Sequence, residues 1–144
     1  MTRHRLKIFF DGGCRPNPGR MEAAVVLRGA VHLFDDLGPG TSRDAEWLAL
    51  IRALELGQAE GLGARGAGIE LMGDSRGVIE EAQQALLWVR DGAGLGAQPS
   101  DAPPFQGHAA RFVALATKGV PLRIRWIKRT QNLAGIALAA RHPR

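Results

Sequence analysis

Cysteine is almost missing: Cys14 is the single thiol in 144 residues. An internal disulfide is excluded, and so is a structural zinc site built on several cysteines. No apolar run approaches the ~18 residues that a membrane span needs. Leu6-Lys7-Ile8-Phe9-Phe10-Asp11, after the basic start Met1 to Arg5, is too short and too soon interrupted for a signal peptide. These absences set the expectation of a cytoplasmic protein with no membrane partner. Carboxylates are missing from one end: no Asp or Glu follows Asp101.

What is present fits a globular chain. A hydrophobic fraction of 45% and a charged fraction of 23% exclude wholesale disorder. The length suits one domain spanning residues 1–144 and is enough to bury a core without staples. Arg111, Lys118, Arg123, Arg125, Lys128, Arg129, Arg141 and Arg144 stand alone in the acid-free end, whereas acids outnumber bases before it. An acidic part joined to a basic part fits a cation site beside a polyanion surface; a solubilising surface fits it equally.

Alternation of Leu6, Ile8 and Phe10 predicts a strand ending at Asp11, broken by the turn-rich Gly12 to Gly19. Ala23–Leu27 and Ala30–Phe34 around Arg28-Gly29 predict a hairpin. Thr41-x-x-Asp44 matches a capping box, and Trp47, Leu50, Ile51 and Leu54 follow at helical spacing to about Ala59. Ile69–Gly73 reads as a buried strand before Asp74. Ser75 begins a second helix with Val78, Ala82, Ala85 and Val89 on one face. The Gly/Pro-rich stretch 91–104 reads as a mobile loop. Ala109, Phe112, Val113 and Ala116 mark a third helix. Val120, Leu122, Ile124 and Trp126 mark the last strand, and Asn132 caps a short helix to Ala140. Hairpin-linked strands followed by helical crossovers predict an α/β fold with a mixed sheet of about five strands.

Three carboxylates sit where such a sheet builds its crevice. Asp11 and Asp74 each follow a strand, and Glu46 falls in the first turn of the first helix. Taken singly, the three equally fit a turn, a helix start and a cap. If they converge, two charges 4 Å apart repel by about 4 kcal/mol at an effective dielectric of 20. Such a cluster takes up protons or binds a cation. Oxygen ligands with no His or Cys among them favour Mg²⁺ or Mn²⁺.

The motifs resemble those of type 1 ribonuclease H. Phe10-Asp11-Gly12-Gly13-Cys14 with Asn17-Pro18-Gly19 resembles the family's first motif. Thr41-Ser42-Arg43-Asp44-Ala45-Glu46 is similar to the second, Gly73-Asp74-Ser75 to the third, and Trp126-Ile127-Lys128-Arg129 with Asn132 to the last. The resemblance implies the ribonuclease H-like fold, three antiparallel strands plus two parallel ones flanked by helices. It implies a metal-dependent endonuclease that hydrolyses the RNA strand of RNA–DNA hybrids. Asp11, Glu46 and Asp74 become catalytic metal ligands, with Asp11 shared between two ions. Asn17 becomes a contact to the RNA strand and Thr41 one to the DNA backbone, with Gly12, Arg43, Ser75 and Asn132 as further nucleic-acid contacts. Apart from the resemblance, Arg123 and Arg125, which strand spacing points to one face, read with Lys128 and Arg129 as phosphate contacts.

One departure matters most. The family's last motif carries a fourth metal-binding Asp, and Ile136 stands in its place. The resemblance therefore implies one sound ion site and one weakened site. It leaves open a catalytically inactive nucleic-acid-binding domain on the same fold. Ser42-Arg43 replaces two Asn, and the family's mobile His loop is reduced to Arg129-Thr130-Gln131.

Overall fold

The computed structural model describes residues 5–60, 68–90, 107–116 and 121–141. The stretch 91–104 and Val120 lie outside them. Among the described residues the chain runs β1 (Leu6–Cys14), β2 (Gly19–Leu27), β3 (Ala30–Phe34), β4 (Pro39–Gly40), α1 (Ser42–Ala59), β5 (Ile69–Gly73), α2 (Arg76–Arg90), α3 (His108–Ala116), β6 (Leu122–Trp126) and α4 (Leu133–Ala140). A short 3-10 turn, Arg129–Gln131, leads into α4.

The sheet order is β3-β2-β1-β5-β6, with β4 paired to β2 as a two-residue addition to the expected five strands. β1 and β2, like β2 and β3, pair antiparallel. β5 pairs parallel with both β1 and β6. At the β2–β3 hairpin, Arg28 and Gly29 both adopt positive φ, the pattern of a two-residue turn that follows strand twist.

One correction concerns β1. It does not stop at Asp11 but continues through Gly12 and Gly13 to Cys14, which pairs with Met21. Gly12 is there for space rather than for a turn. A Cβ on Gly12 would lie 2.2 Å from the carbonyl oxygen of Ala45, so Gly12 lets α1 press against β1. Glu46 lies not in the first turn of α1 but in the second: counted from the Thr41 cap it is the fifth helical residue, and the acid of the first turn is Asp44.

The two sheet faces are covered unequally. Ile8, Phe10, Val25, Leu71 and Ile124 meet Trp47, Leu50, Ile51 and Leu54 of α1, Val78, Ile79, Ala82 and Ala85 of α2, and Phe112 of α3. On the opposite face α4 contributes Ala134 and Leu138, packed on Ala24, Val26 and Phe9. Asp11, one residue after Phe10, alternates onto this second face, beside α4.

Candidate active site

The parallel pairing of β1 and β5 sets Asp11 and Asp74 at neighbouring strand ends, and α1 crosses above them. One carboxylate oxygen from each of Asp11, Glu46 and Asp74 lies within 4.8 Å of the others. The convergence expected from the sequence is thus a geometric fact. The backbone N–H of Gly12 donates to Glu46 Oε1 at 2.7 Å. α4 closes the site from the other side: a Cβ on Gly135 would lie 3.4 Å from Asp11 Oδ2 and 3.6 Å from Asp74 Oδ2.

Asn132 organises more of the site than a helix cap requires. It is wholly buried. Its Nδ2 donates to Asp74 Oδ2 at 2.9 Å and to the carbonyl of Phe10 at 3.0 Å. Its Oδ1 accepts from the Ala134 N–H at 3.1 Å. One side chain therefore joins β1, Asp74 and the start of α4. The indole N–H of Trp126 donates to the Asp74 carbonyl as a further brace. Asn132→Ala is expected to cost about 2–4 kcal/mol, combining a lost cap with buried groups left unpaired. Denaturant unfolding measures it, and a cost below about 0.5 kcal/mol would contradict this role.

Burial raises the Asp11 carboxyl to about 7, and the Asp74 charge adds to the rise while Arg129 opposes it. Burial likewise raises Glu46 to about 9, with the Asp11 charge next in effect and the Gly12 N–H opposing. Folded Asp11 and Glu46 therefore hold protons more tightly than in the unfolded chain. Their contribution to metal-free stability is full at acid pH and is lost as pH rises through those values. Glu46→Gln mimics the protonated form. In EDTA, the melting temperature of wild type is expected to fall relative to Glu46→Gln between pH 5 and pH 9. A pH-independent difference would show that Glu46 is not held protonated.

The remaining sequence candidates spread outward. Arg129 lines the same cavity as Asp11, about 350 Å³ in volume. Asn17 reaches α1: its Nδ2 donates to Ser42 Oγ, and its Oδ1 accepts the Ser42 N–H. Thr41 is engaged in the capping box with Asp44. The Ser75 carbonyl accepts from Ile79 N at the start of α2. Arg43 is ion-paired with Glu81 rather than turned to the acidic trio. Arg123 and Arg125 are exposed on β6; Arg123 stands 3.5 Å from Glu70, and Arg125 Nη2 donates to the Met72 sulfur. Ile136 is 54% exposed at the cavity rim, so α4 directs this position toward solvent and the site at once. Two cavity residues had no sequence signal, Arg15 and Glu22. Both sit outside any motif, and only strand pairing brings Glu22 beside Asp11.

No family model matches the sequence, and no curated protein matches it. Solved structures do. The chain is similar to ribonuclease H1 of the halophilic archaeon Halobacterium salinarum NRC-1, at 29% identity and a TM-score of 0.66, over 93% of each chain. It is also similar to LC11-RNase H1, isolated from compost by a metagenomic approach, at 28% identity and a TM-score of 0.69, over 94% of this chain and 92% of that one. LC11-RNase H1 has also been solved in complex with an RNA/DNA hybrid, and that structure matches at 28% identity and a TM-score of 0.64, over 93% of each chain. Among the described residues no helix is long and apolar enough to cross a membrane.

Proposed function

This chain is ribonuclease HI-like in sequence motifs and fold, and we propose that it hydrolyses the RNA strand of RNA–DNA hybrids using divalent metal, at a rate limited by Ile136. The observation that carries this reading is the meeting of Asp11, Glu46 and Asp74 at the joined ends of β1 and β5. The donor set fits a hard cation: three half-buried carboxylates, all oxygen, with like charges that need neutralising. Mg²⁺ or Mn²⁺ would be held by these three and would supply a lowered pKa for water and charge stabilisation at phosphate.

The chain's own residues prepare that site. Asn132 fixes Asp74, and the Gly12 amide fixes Glu46. Arg129, which lines the cavity with Asp11, is read as a phosphate contact. Asn17 and Thr41, brought together at the start of α1, are read as contacts to the RNA strand and the DNA backbone. Arg123 and Arg125 are read as phosphate contacts farther along β6. Arg43 and Ser75 are read as flanking contacts, and Arg43 would have to leave Glu81 to serve.

A second reading is a hybrid-binding domain without hydrolysis. Ile136 favours it, because it removes an oxygen ligand from the family's pattern. A labelled hybrid incubated with wild type in Mg²⁺, then Mn²⁺, then EDTA separates the two. Metal-dependent cleavage of the RNA strand supports the enzyme; binding without cleavage in either ion supports the domain. Binding itself is expected to weaken with salt at a log–log slope near −3 to −4, as for about four neutralised phosphates, and charge reversal at Arg123 and Arg125 should flatten that slope. A salt-independent affinity would remove both readings.

A further inference from the structure

Ile136 leaves the Asp11 side of the site one carboxylate short of the family's pattern, yet a second acid already faces that cavity. Glu22 lines it with Asp11, Arg15, Arg129 and Ile136. On β2, Ala24 lies opposite Asp11 and Glu22 lies opposite Gly13. Residues two apart share a sheet face, so Asp11 and Glu22 are diagonal neighbours on the face that α4 covers. Diagonal neighbours of this kind stand roughly 7–8 Å apart. Gly13 puts no side chain between them; a Cβ there would point at Leu138 of α4, 3.5 Å away. The Glu22 side chain is only 13% exposed. Arg141 Nε lies 3.8 Å from Glu22 Oε1, and Arg141 Nη2 lies 3.7 Å from Asp35. Arg141 is thus the cation that now faces Glu22, in the place a bound metal ion would take.

We propose that Glu22 takes the part of the carboxylate missing at position 136, giving an oxygen ligand from β2 to a divalent ion held at Asp11. The inference rests on the metal-site reading above and adds one ligand to it. The chemistry suits the residue: a hard ion seeks oxygen, and a Glu reaches one methylene farther than an Asp. With the acid on β2, the α4 position across the cavity no longer has to carry charge. An exposed isoleucine there then weakens the site without emptying it.

Calorimetric titration of Mn²⁺ into wild type, Glu22→Gln, Asp11→Asn and Arg141→Met tests this. Glu22→Gln preserves size and is expected to weaken Mn²⁺ binding by more than about tenfold, since losing a direct ligand costs at least what losing an outer-shell partner does. Its metal-free melting temperature should not fall. Arg141→Met removes a competing cation and is expected to tighten binding. Ile136→Asp should gain more affinity in the Glu22→Gln background than in wild type, because the two carboxylates serve one ion. Wild-type affinity in Glu22→Gln, with binding lost in Asp11→Asn, overturns the Glu22 assignment and leaves the metal site standing. Unchanged binding in Asp11→Asn overturns the metal site itself, and the Glu22 assignment with it. If Glu22→Gln does not fold, an unchanged affinity in Arg141→Met overturns the assignment.

Discussion

Asp11→Asn is expected to lower hybrid cleavage by at least about a thousandfold and to abolish tight divalent-ion binding. The loss should exceed the roughly 10–100-fold of an outer-shell partner, because Asp11 is read as touching the ions directly. The cause is local. Asp11 sits between Asp74 on the adjoining strand and Glu46 on α1, within 4.8 Å of both. Its neutral replacement keeps the shape and removes the charge that gathers the cation. The same change should raise metal-free stability at pH 8, since it relieves the repulsion that burial intensifies. Calorimetry with Mg²⁺ and Mn²⁺, paired with thermal melts in EDTA, measures both effects. Mn²⁺ binding equal to wild type would withdraw Asp11 from the site.

Ile136→Asp is the complementary gain. It is expected to raise cleavage in Mg²⁺ by about tenfold or more, and to raise it less in Mn²⁺, which holds a given site more tightly. The structure removes the main obstacle to the change. Ile136 is 54% exposed, so the new carboxylate is not driven into the core. Its cost in metal-free stability comes from repulsion with Asp11 across the cavity rather than from burial, and bound metal should remove it. Ile136→Asn separates charge from size and should recover little. Equal cleavage by wild type and Ile136→Asp in Mg²⁺ would mean that this position does not limit the reaction. A folded, hybrid-binding Ile136→Asp that still does not cleave would favour the binding domain.

Much of this architecture is written in local chemistry. The box at Thr41 and Asp44, the apolar run Ile69–Gly73 and the Arg28-Gly29 turn each specify their element through neighbouring residues. The acidic trio was legible because two of its members follow the strands that a parallel crossover must set side by side. Other features depend on partners remote in sequence. Gly12-Gly13 reads as a breaker until β2 pairs with it and α1 demands the space. Glu22 has no motif and gains meaning only from its register opposite Gly13. Asn132 announced a helix cap, but its grip on Phe10 and Asp74 needed the folded sheet. Arg43 was read from its motif as a nucleic-acid contact, and nothing near it in sequence signalled the ion pair with Glu81 on another helix.

The Asn132 bridge bears on the order in which a growing chain acquires its site. Phe10 and Asn132 are 122 positions apart. At about 5–20 residues per second, a ribosome spends roughly 6–25 s between them. For the last 58 residues of that interval Asp11, Glu46 and Asp74 have all been made, but the amide that orients Asp74 has not. A nascent chain emerging beside messenger RNA therefore carries its acids before it can align them.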